Sequence, residues 1–338
     1  MNLHFLANAA AASTAVLTSP AAIICVVIVL FLVGSYALHP RRPRPLKNAV
    51  CVVTGGSSGI GYCICKDLID RGAASVTIIA RSLDKLESSK ASLKEYALSS
   101  GSSCEVRTMA LDLSEEVPKE SIDLLSSVTH LFLCAGSALA RTCITAGPSS
   151  FPRMMSSNYH TAASLISLLL PHMVGRETSI LITSSCAGQV GIYGYTAYSG
   201  SKFALKGLAD ALRLELCGTG VELTMAFPPN TDTPGFEEEN KGKPEITKIM
   251  EDEAGLYTAP AVASEMVKAV EGGRLWCYFG VDGWMLHNVS VGMGAVDCWK
   301  DLLTQVFLGG LLRAIGVGYA RSWRGIAEKE ATAQNKDK

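Results

Sequence analysis

Tyr198 and Lys202 stand in a Tyr-x-x-x-Lys array, and Ser185 lies thirteen residues before the tyrosine. A phenol of ordinary pKa, near ~10, is a poor base at neutral pH. An ammonium one helical turn away favours the phenolate and brings the group within reach of proton transfer. A serine hydroxyl can polarise the same substrate oxygen. Far upstream, Thr54-Gly55-Gly56-Ser57-Ser58-Gly59-Ile60-Gly61 follows the apolar run 49–53. Glycines there let the backbone turn tightly and approach a pyrophosphate at a helix N-terminus, and Ser57 and Ser58 add hydroxyl donors. A phosphate cradle joined to a proton-moving phenol describes hydride exchange between a nicotinamide and a carbonyl or alcohol.

Each residue then takes a role. In the reductive direction Tyr198 gives its proton to the carbonyl oxygen while Ser185 polarises it. Lys202 serves the phenol and also reaches the ribose hydroxyls. Asn158, on the preceding long helix, is placed to hold a water linking Lys202 to solvent. Ser184 is adjacent to Ser185, but the thirteen-residue spacing favours Ser185. The next strand ends at Ala80-Arg81, where a site for a free ribose 2′-hydroxyl usually carries an acid. Here stand Arg81 and, one turn later, Lys85. Cations suit a 2′-phosphate, so the expected cofactor is NADPH rather than NADH. Asp112 is placed to meet the adenine edge, Ala135 and Gly136 let the backbone pass the cofactor, and Ile60 and Leu113 belong to the same cofactor-binding set. His160 and His172 read as helix residues without catalytic duty, Tyr193 and Tyr195 as pocket or packing residues. No metal constellation is visible.

These residues need a scaffold. Short apolar, β-rich runs at 49–53, 76–80, 106–111, 131–134, 180–183, 222–226 and 275–279 alternate with helical stretches at 60–71, 83–98, 151–173, 197–216 and 261–270. Near-continuous hydrophobic strands alternating with helices predict an α/β fold, a Rossmann-type doubly wound parallel sheet covered on both faces. The catalytic domain is expected over 48–285. Residues 234–256 interrupt the alternation just past a strand's carboxyl end, where open α/β sheets bind ligands, and read as a lid over substrate. Glu237 to Glu239 within it read as a solvated charge run.

The termini differ from this domain. The chain has 338 residues and a net charge of −1, so no long-range field favours nucleic acid. Residues 1–40 carry no Asp, Glu, Lys or Arg, and 21–38 form an uncharged, mostly apolar run long enough for a transmembrane helix. Arg41, Arg42, Arg44 and Lys47 follow at once, in a stiff basic linker over 41–47. The positive-inside bias places the N-terminus in the lumen and the rest in the cytosol. The eleven cysteines, an odd number without Cys-x-x-Cys, suggest neither a zinc site nor a disulfide framework and fit a reducing compartment. Asn288-Val289-Ser290 is a glycosylation sequon that stays unmodified on that side. Over 286–338 the run 302–319 is apolar but interrupted by Gln305 and Arg313, so this membrane-associated segment reads equally as a crossing or an interfacial helix.

Taken together, Thr54 to Gly61, Asp112, Asn158, Ser185, Tyr198 and Lys202 resemble the short-chain dehydrogenase/reductase family over roughly 48–280. One departure is the family's Asn-Asn-Ala-Gly, here Leu133-Cys134-Ala135-Gly136. A narrower likeness rests on Ser184 to Gly191, on Tyr195-Thr196-Ala197-Tyr198-Ser199 and above all on Phe227-Pro228-Pro229-Asn230-Thr231-Asp232-Thr233-Pro234-Gly235-Phe236. These are similar to a membrane-anchored branch of the family. That resemblance implies a long-chain keto-amine lipid substrate, 3-ketosphinganine reduced to sphinganine with NADPH, at the cytosolic face of the endoplasmic reticulum membrane. It also implies a homo-oligomer paired through the helices at 151–173 and 197–216. The competing readings are a membrane-bound steroid or retinoid dehydrogenase, against which the Pro228 to Phe236 stretch speaks, and a non-catalytic nucleotide-binding scaffold, against which the intact Ser185, Tyr198 and Lys202 set speaks.

Overall fold

A computed structural model of the chain describes residues 41–252, 255–292 and 294–336, together with Ile24 and Ile28. The expected span 21–38 otherwise lies outside the described residues. Seven parallel strands run in the order β3-β2-β1-β4-β5-β6-β9. They are β1 (Val50–Thr54), β2 (Ser75–Ala80), β3 (Glu105–Ala110), β4 (His130–Leu133), β5 (Thr178–Thr183), β6 (Val221–Ala226) and β9 (Trp276–Cys277). Each covers an expected apolar run to within a few residues. The strands alternate their side chains between two layers. Cys51, Val53, Ile78 and Phe132 join one core with Ile64, Leu68, Leu93 and Met266. Val52, Ile79, Leu131 and Leu133 join the other with Leu125, Leu165, Leu169 and Leu212.

The first layer is built by α1 (Gly59–Asp70), α2 (Leu83–Ser99) and α8 (Ala259–Glu271). The second is built by α3 (Lys119–Leu125), α4 (Thr161–Met173) and α5 (Thr196–Glu215). The single helix expected over 151–173 is instead a short α-helix at Ser150–Met154, a π-helical turn at Met155–His160 and then α4. Such π turns insert one residue into the ladder and commonly mark functional positions.

The order of strands reverses direction between β1 and β4, so the loops after these two strands diverge and leave a crevice at the sheet's carboxyl edge. The excursion at 234–256 overhangs this edge. It contains α6 (Pro234–Asn240) and α7 (Glu245–Asp252). Its base is closed by a two-strand clasp, β7 (Thr231–Asp232) against β8 (Tyr257–Thr258). Thr233 caps α6, its hydroxyl accepting the Phe236 N–H at 3.1 Å, and Pro234 occupies the first turn, where no N–H is needed.

The basic stretch 41–47 is not a free spacer. Arg44 is buried and donates to the carbonyls of Thr178, at 3.2 Å, and Gly220, at 2.8 Å, while Leu46 is fully buried. Arg41 pairs with Asp297 at 3.2 Å. The arginines therefore fasten the chain beneath the sheet before β1 begins. At the other end, α9 (Gly280–Ser290) packs against α10 (Gly309–Lys336). Residues Trp299–Lys329 form the one run among the described residues long and apolar enough to cross a membrane by length and composition. Gln305, which interrupts its apolar character, donates to Asn288 Oδ1 at 3.2 Å. Asn288 is itself buried and donates to the Trp284 carbonyl at 2.8 Å, so the sequon's amide is engaged inside the fold. The ten described cysteines are all free thiols.

Candidate active site

A cavity of about 1480 Å³ opens along the carboxyl edge of the sheet. Its floor is the turn between β1 and α1. Gly55 and Gly59 have φ of 70° and 54°, a region that side chains rarely enter. At Gly61 the constraint is contact, since a Cβ would stand 2.5 Å from the Gly55 carbonyl oxygen. A Cβ at Gly55 would lie 2.9 Å from the Ala135 backbone. Ser58 makes no side-chain cap at the start of α1, leaving the helix's first N–H groups for a ligand. Positive φ, bare backbone and an uncapped helix start fit a dinucleotide pyrophosphate. Thr54 Oγ1 accepts the N–H groups of Cys134 at 3.1 Å and Ala135 at 3.0 Å, which ties the turn to the exit of β4.

The expected cofactor residues come together on this cavity. Gly55, Ser57, Ser58, Gly59, Ile60 and Gly61 line one end with Arg81, Lys85, Asp112 and Leu113, and Ala135 and Gly136 line its middle. Arg81 and Lys85 are exposed at the start of α2. Asp112 Oδ1 accepts the N–H and hydroxyl of Ser114, at 3.0 and 2.6 Å, which fixes the carboxylate at the cavity edge and, with Arg81 nearby, holds its pKa below the usual range.

Ser185, Tyr198 and Lys202 line the same cavity. Ser185 stands close enough to the Tyr198 phenol to favour its ionised form, and its hydroxyl accepts the Ala187 N–H at 3.2 Å. Ser184 is distinguished from Ser185 by its partner, because its hydroxyl is buried and donates to the Lys202 carbonyl at 3.1 Å. Lys202 Nζ donates to the Thr183 carbonyl at 3.1 Å. Lys202 Nζ lies 5.7 Å from the centre of the Tyr198 ring. Burial first, then the Glu239 carboxylate, push Tyr198 well above the ordinary phenol range, while burial pushes Lys202 down to about 8. The phenol is held as a neutral acid, the form that donates a proton.

Asn158 stands behind the wall rather than on it. It is 1 % exposed, and its amide donates to the Ser137 carbonyl at 3.0 Å and to Ser201 Oγ at 2.9 Å. Its oxygen accepts the Ser137 N–H at 2.8 Å. Both amide hydrogens are thus spent on protein partners, so the water link expected of Asn158 has no side-chain donor left to it. The π turn places Asn158 to clamp the loop after β4, and a Cβ on Gly136 would sit 2.7 Å from its Oδ1.

A model of the short chain dehydrogenase family matches residues 49–244. The chain belongs to the short-chain dehydrogenase family. Over its length it is 37% identical to a 3-dehydrosphinganine reductase of Danio rerio, across 91% of this chain and 95% of that one. It is 36% identical to a 3-ketodihydrosphingosine reductase of Bos taurus, across 93% of this chain and 95% of that one. Among solved structures it is similar to a short-chain dehydrogenase from Sphingobium yanoikuyae in complex with NADPH, with a TM-score of 0.57 and 18% identity, across 68% of this chain and 87% of that one. It is likewise similar to one from Burkholderia cenocepacia in complex with NADP, with a TM-score of 0.59 and 19% identity, across 71% and 91%. The structural likenesses extend to the fold.

Where the family sequence carries asparagines after the fourth strand, this short-chain dehydrogenase has Leu133 buried in the core and Cys134 accepting the Thr183 hydroxyl at 3.5 Å. One group of residues escaped the reading of the sequence. Glu239 is not a solvated charge. Its carboxylate accepts the Tyr195 hydroxyl, and Lys243 Nζ lies 3.1 Å from it. Tyr195 also donates to Glu251 Oε1 at 2.6 Å, and Lys243 Nζ lies 2.6 Å from Glu251 Oε2. The Glu239 to Lys243 spacing of four was the available signal, but only the fold brings Tyr195 and Glu251 to it.

Proposed function

We propose that this chain reduces the keto group of 3-ketosphinganine to give sphinganine, with NADPH as reductant. The observation that carries the proposal is that Tyr198, Ser185 and Lys202 line one cavity that runs from the glycine turn to the apolar C-terminal helix. Relatives over nearly the whole chain bear names for that reaction. When bound, NADPH supplies the hydride. Tyr198 donates its proton to the ketone oxygen, and Ser185 steadies that oxygen as charge develops. Lys202 presents an ammonium to the ribose side of the cofactor, and Arg81 and Lys85 receive its 2′-phosphate.

The far end of the cavity suits an alkyl chain. Leu312, Ile315, Gly316, Tyr319 and Trp323 line it at helical spacing along one face of α10. Leu311 of α10, and Leu303 and Phe307 just before it, are exposed apolar side chains. We assign this helix to the membrane surface, with these exposed side chains in the bilayer and the lining row receiving the substrate chain, whose transfer from water is worth ~0.8 kcal/mol per methylene. The excursion 234–256 serves as the lid. The N-terminal apolar run anchors the chain in the endoplasmic reticulum membrane with the catalytic domain in the cytosol, a placement supported by the arginines that follow it. Copies pair through the helices at 151–173 and 197–216, whose surfaces expose Phe151, Leu168 and Phe203.

The test is turnover by detergent-solubilised protein of 3-ketosphinganine beside a panel of keto-steroids and retinal, with NADPH. Selective oxidation of NADPH by 3-ketosphinganine is expected. Turnover of the steroids or retinal alone would move the assignment to the other membrane-bound dehydrogenases.

A further inference from the structure

Four charged and polar groups at or behind the cavity wall have no part in the proposed reduction: Tyr195, Glu239, Lys243 and Glu251. Glu239, Glu251 and Tyr195 line the same cavity as Tyr198, and the two tyrosine rings lie 5.4 Å apart between centroids. Lys243 is sealed beneath them with its side chain 1 % exposed. Two carboxyl groups thus share one ammonium. Their donors are also too few. Tyr195 has one proton to share between Glu239 Oε1 and Glu251 Oε1, and no described residue donates to Glu239 Oε2. A partly buried carboxylate with surplus charge and an open oxygen is costly unless a cation joins it. A second, independent observation concerns the same cavity. Gln189 is 93 % buried by its 7 % exposure, lines the cavity, and neither its amide nitrogen nor its oxygen has a partner.

We infer that Glu239, backed by Glu251, seats the substrate's ammonium group, and that Gln189 serves the hydroxyl on the other side of it. This inference rests on the proposed reduction of 3-ketosphinganine, in which the amino group sits on the carbon next to the ketone. A ketone oxygen at Tyr198 and Ser185 places that ammonium beside the same wall. The site therefore selects amino ketones over plain ketones of equal chain length. Lys243 sets the total charge so that one cation, and not two, completes the cluster. Glu239 belongs to the lid and Tyr195 to the start of the catalytic helix, so the bound ammonium also draws the lid onto the reacting centre.

The experiment compares 3-ketosphinganine with its deamino analogue, in wild type, Glu239→Gln and Glu239→Asp. Glu239→Gln removes the surplus charge and leaves the Glu251–Lys243 pair. Wild type is expected to favour the amino ketone on the order of a hundredfold in kcat/KM, the scale of a buried charge pair. Glu239→Gln is expected to lose most of that preference through KM and to keep NADPH binding as read by fluorescence. Glu239→Asp is expected to recover part of it. A Glu239→Gln variant that loses both ketones alike, or a wild type indifferent to the amino group, would overturn the ammonium seat while leaving the proposed reduction in place. A wild type inactive on 3-ketosphinganine would remove the reduction itself, and the inference with it.

Discussion

Lys202 Nζ donates to the main-chain carbonyl of Thr183 at 3.1 Å and lies 5.7 Å from the centre of the Tyr198 ring. The lysine is thus oriented by β5 rather than by the phenol four residues before it. Burial pushes it down to about 8, and the thiol that faces it, Cys134, is pushed up to about 11 by its own burial. Between these values the site loses one positive charge and gains no negative one. In the proposed mechanism the ammonium is the form that meets the cofactor's ribose side. Raising pH through about 8 should therefore lower kcat/KM for NADPH, a parameter that reports groups of the free enzyme. A pH profile from 6 to 10 (about the range where fold and cofactor survive) checks this, and Lys202→Met should lack the alkaline limb. The stability sign is opposite. The unfolded chain, with a lysine near ~10.4, binds the proton more readily than the folded one, so this group's contribution to stability rises as pH passes from about 8 upward.

Gly61 has an ordinary backbone angle but no room for a side chain, with the Gly55 carbonyl 2.5 Å from where a Cβ would be. Gly61→Ala should push the turn outward and misplace its amides. NADPH affinity, measured by fluorescence titration, is expected to fall about tenfold or more, since overpacking a tight contact costs roughly 1–3 kcal/mol. Far-ultraviolet circular dichroism should be unchanged.

Arg81 sits at the cavity rim where the second strand ends. A charge-assisted bond to a 2′-phosphate is worth roughly 1.5–3 kcal/mol. Arg81→Ala should cut kcat/KM with NADPH by about 10- to 100-fold and leave the value with NADH nearly unaltered. Steady-state kinetics with both nucleotides checks the ratio, and equal losses with both would remove Arg81 from the phosphate site.

Local chemistry explains what the sequence disclosed. Strands such as 76–80 and 180–183 are buried on both faces, so their apolar runs are unbroken and visible. The glycine turn and the Tyr198–Lys202 spacing are contiguous and equally plain. The π turn at Met155–His160 left no signature, because an inserted residue changes the helix period only locally. Glu239 looked solvated because Glu237, Glu238 and Lys241 around it are. What buries it is a contact to Tyr195, 44 residues away, which no local pattern records. Arg44 likewise belongs, in the sequence, to a basic linker, and only the fold brings the carbonyls of Thr178 and Gly220 around it.

The proposed reduction turns on one proton, the one held by the Tyr198 hydroxyl. The direct test is NADPH oxidation with 3-ketosphinganine by wild type beside Tyr198→Phe, with NADPH binding followed in parallel. The predicted result is a fall in kcat of about 10²- to 10⁴-fold, the usual worth of a positioned acid, with NADPH still bound. Undiminished turnover by Tyr198→Phe would contradict it.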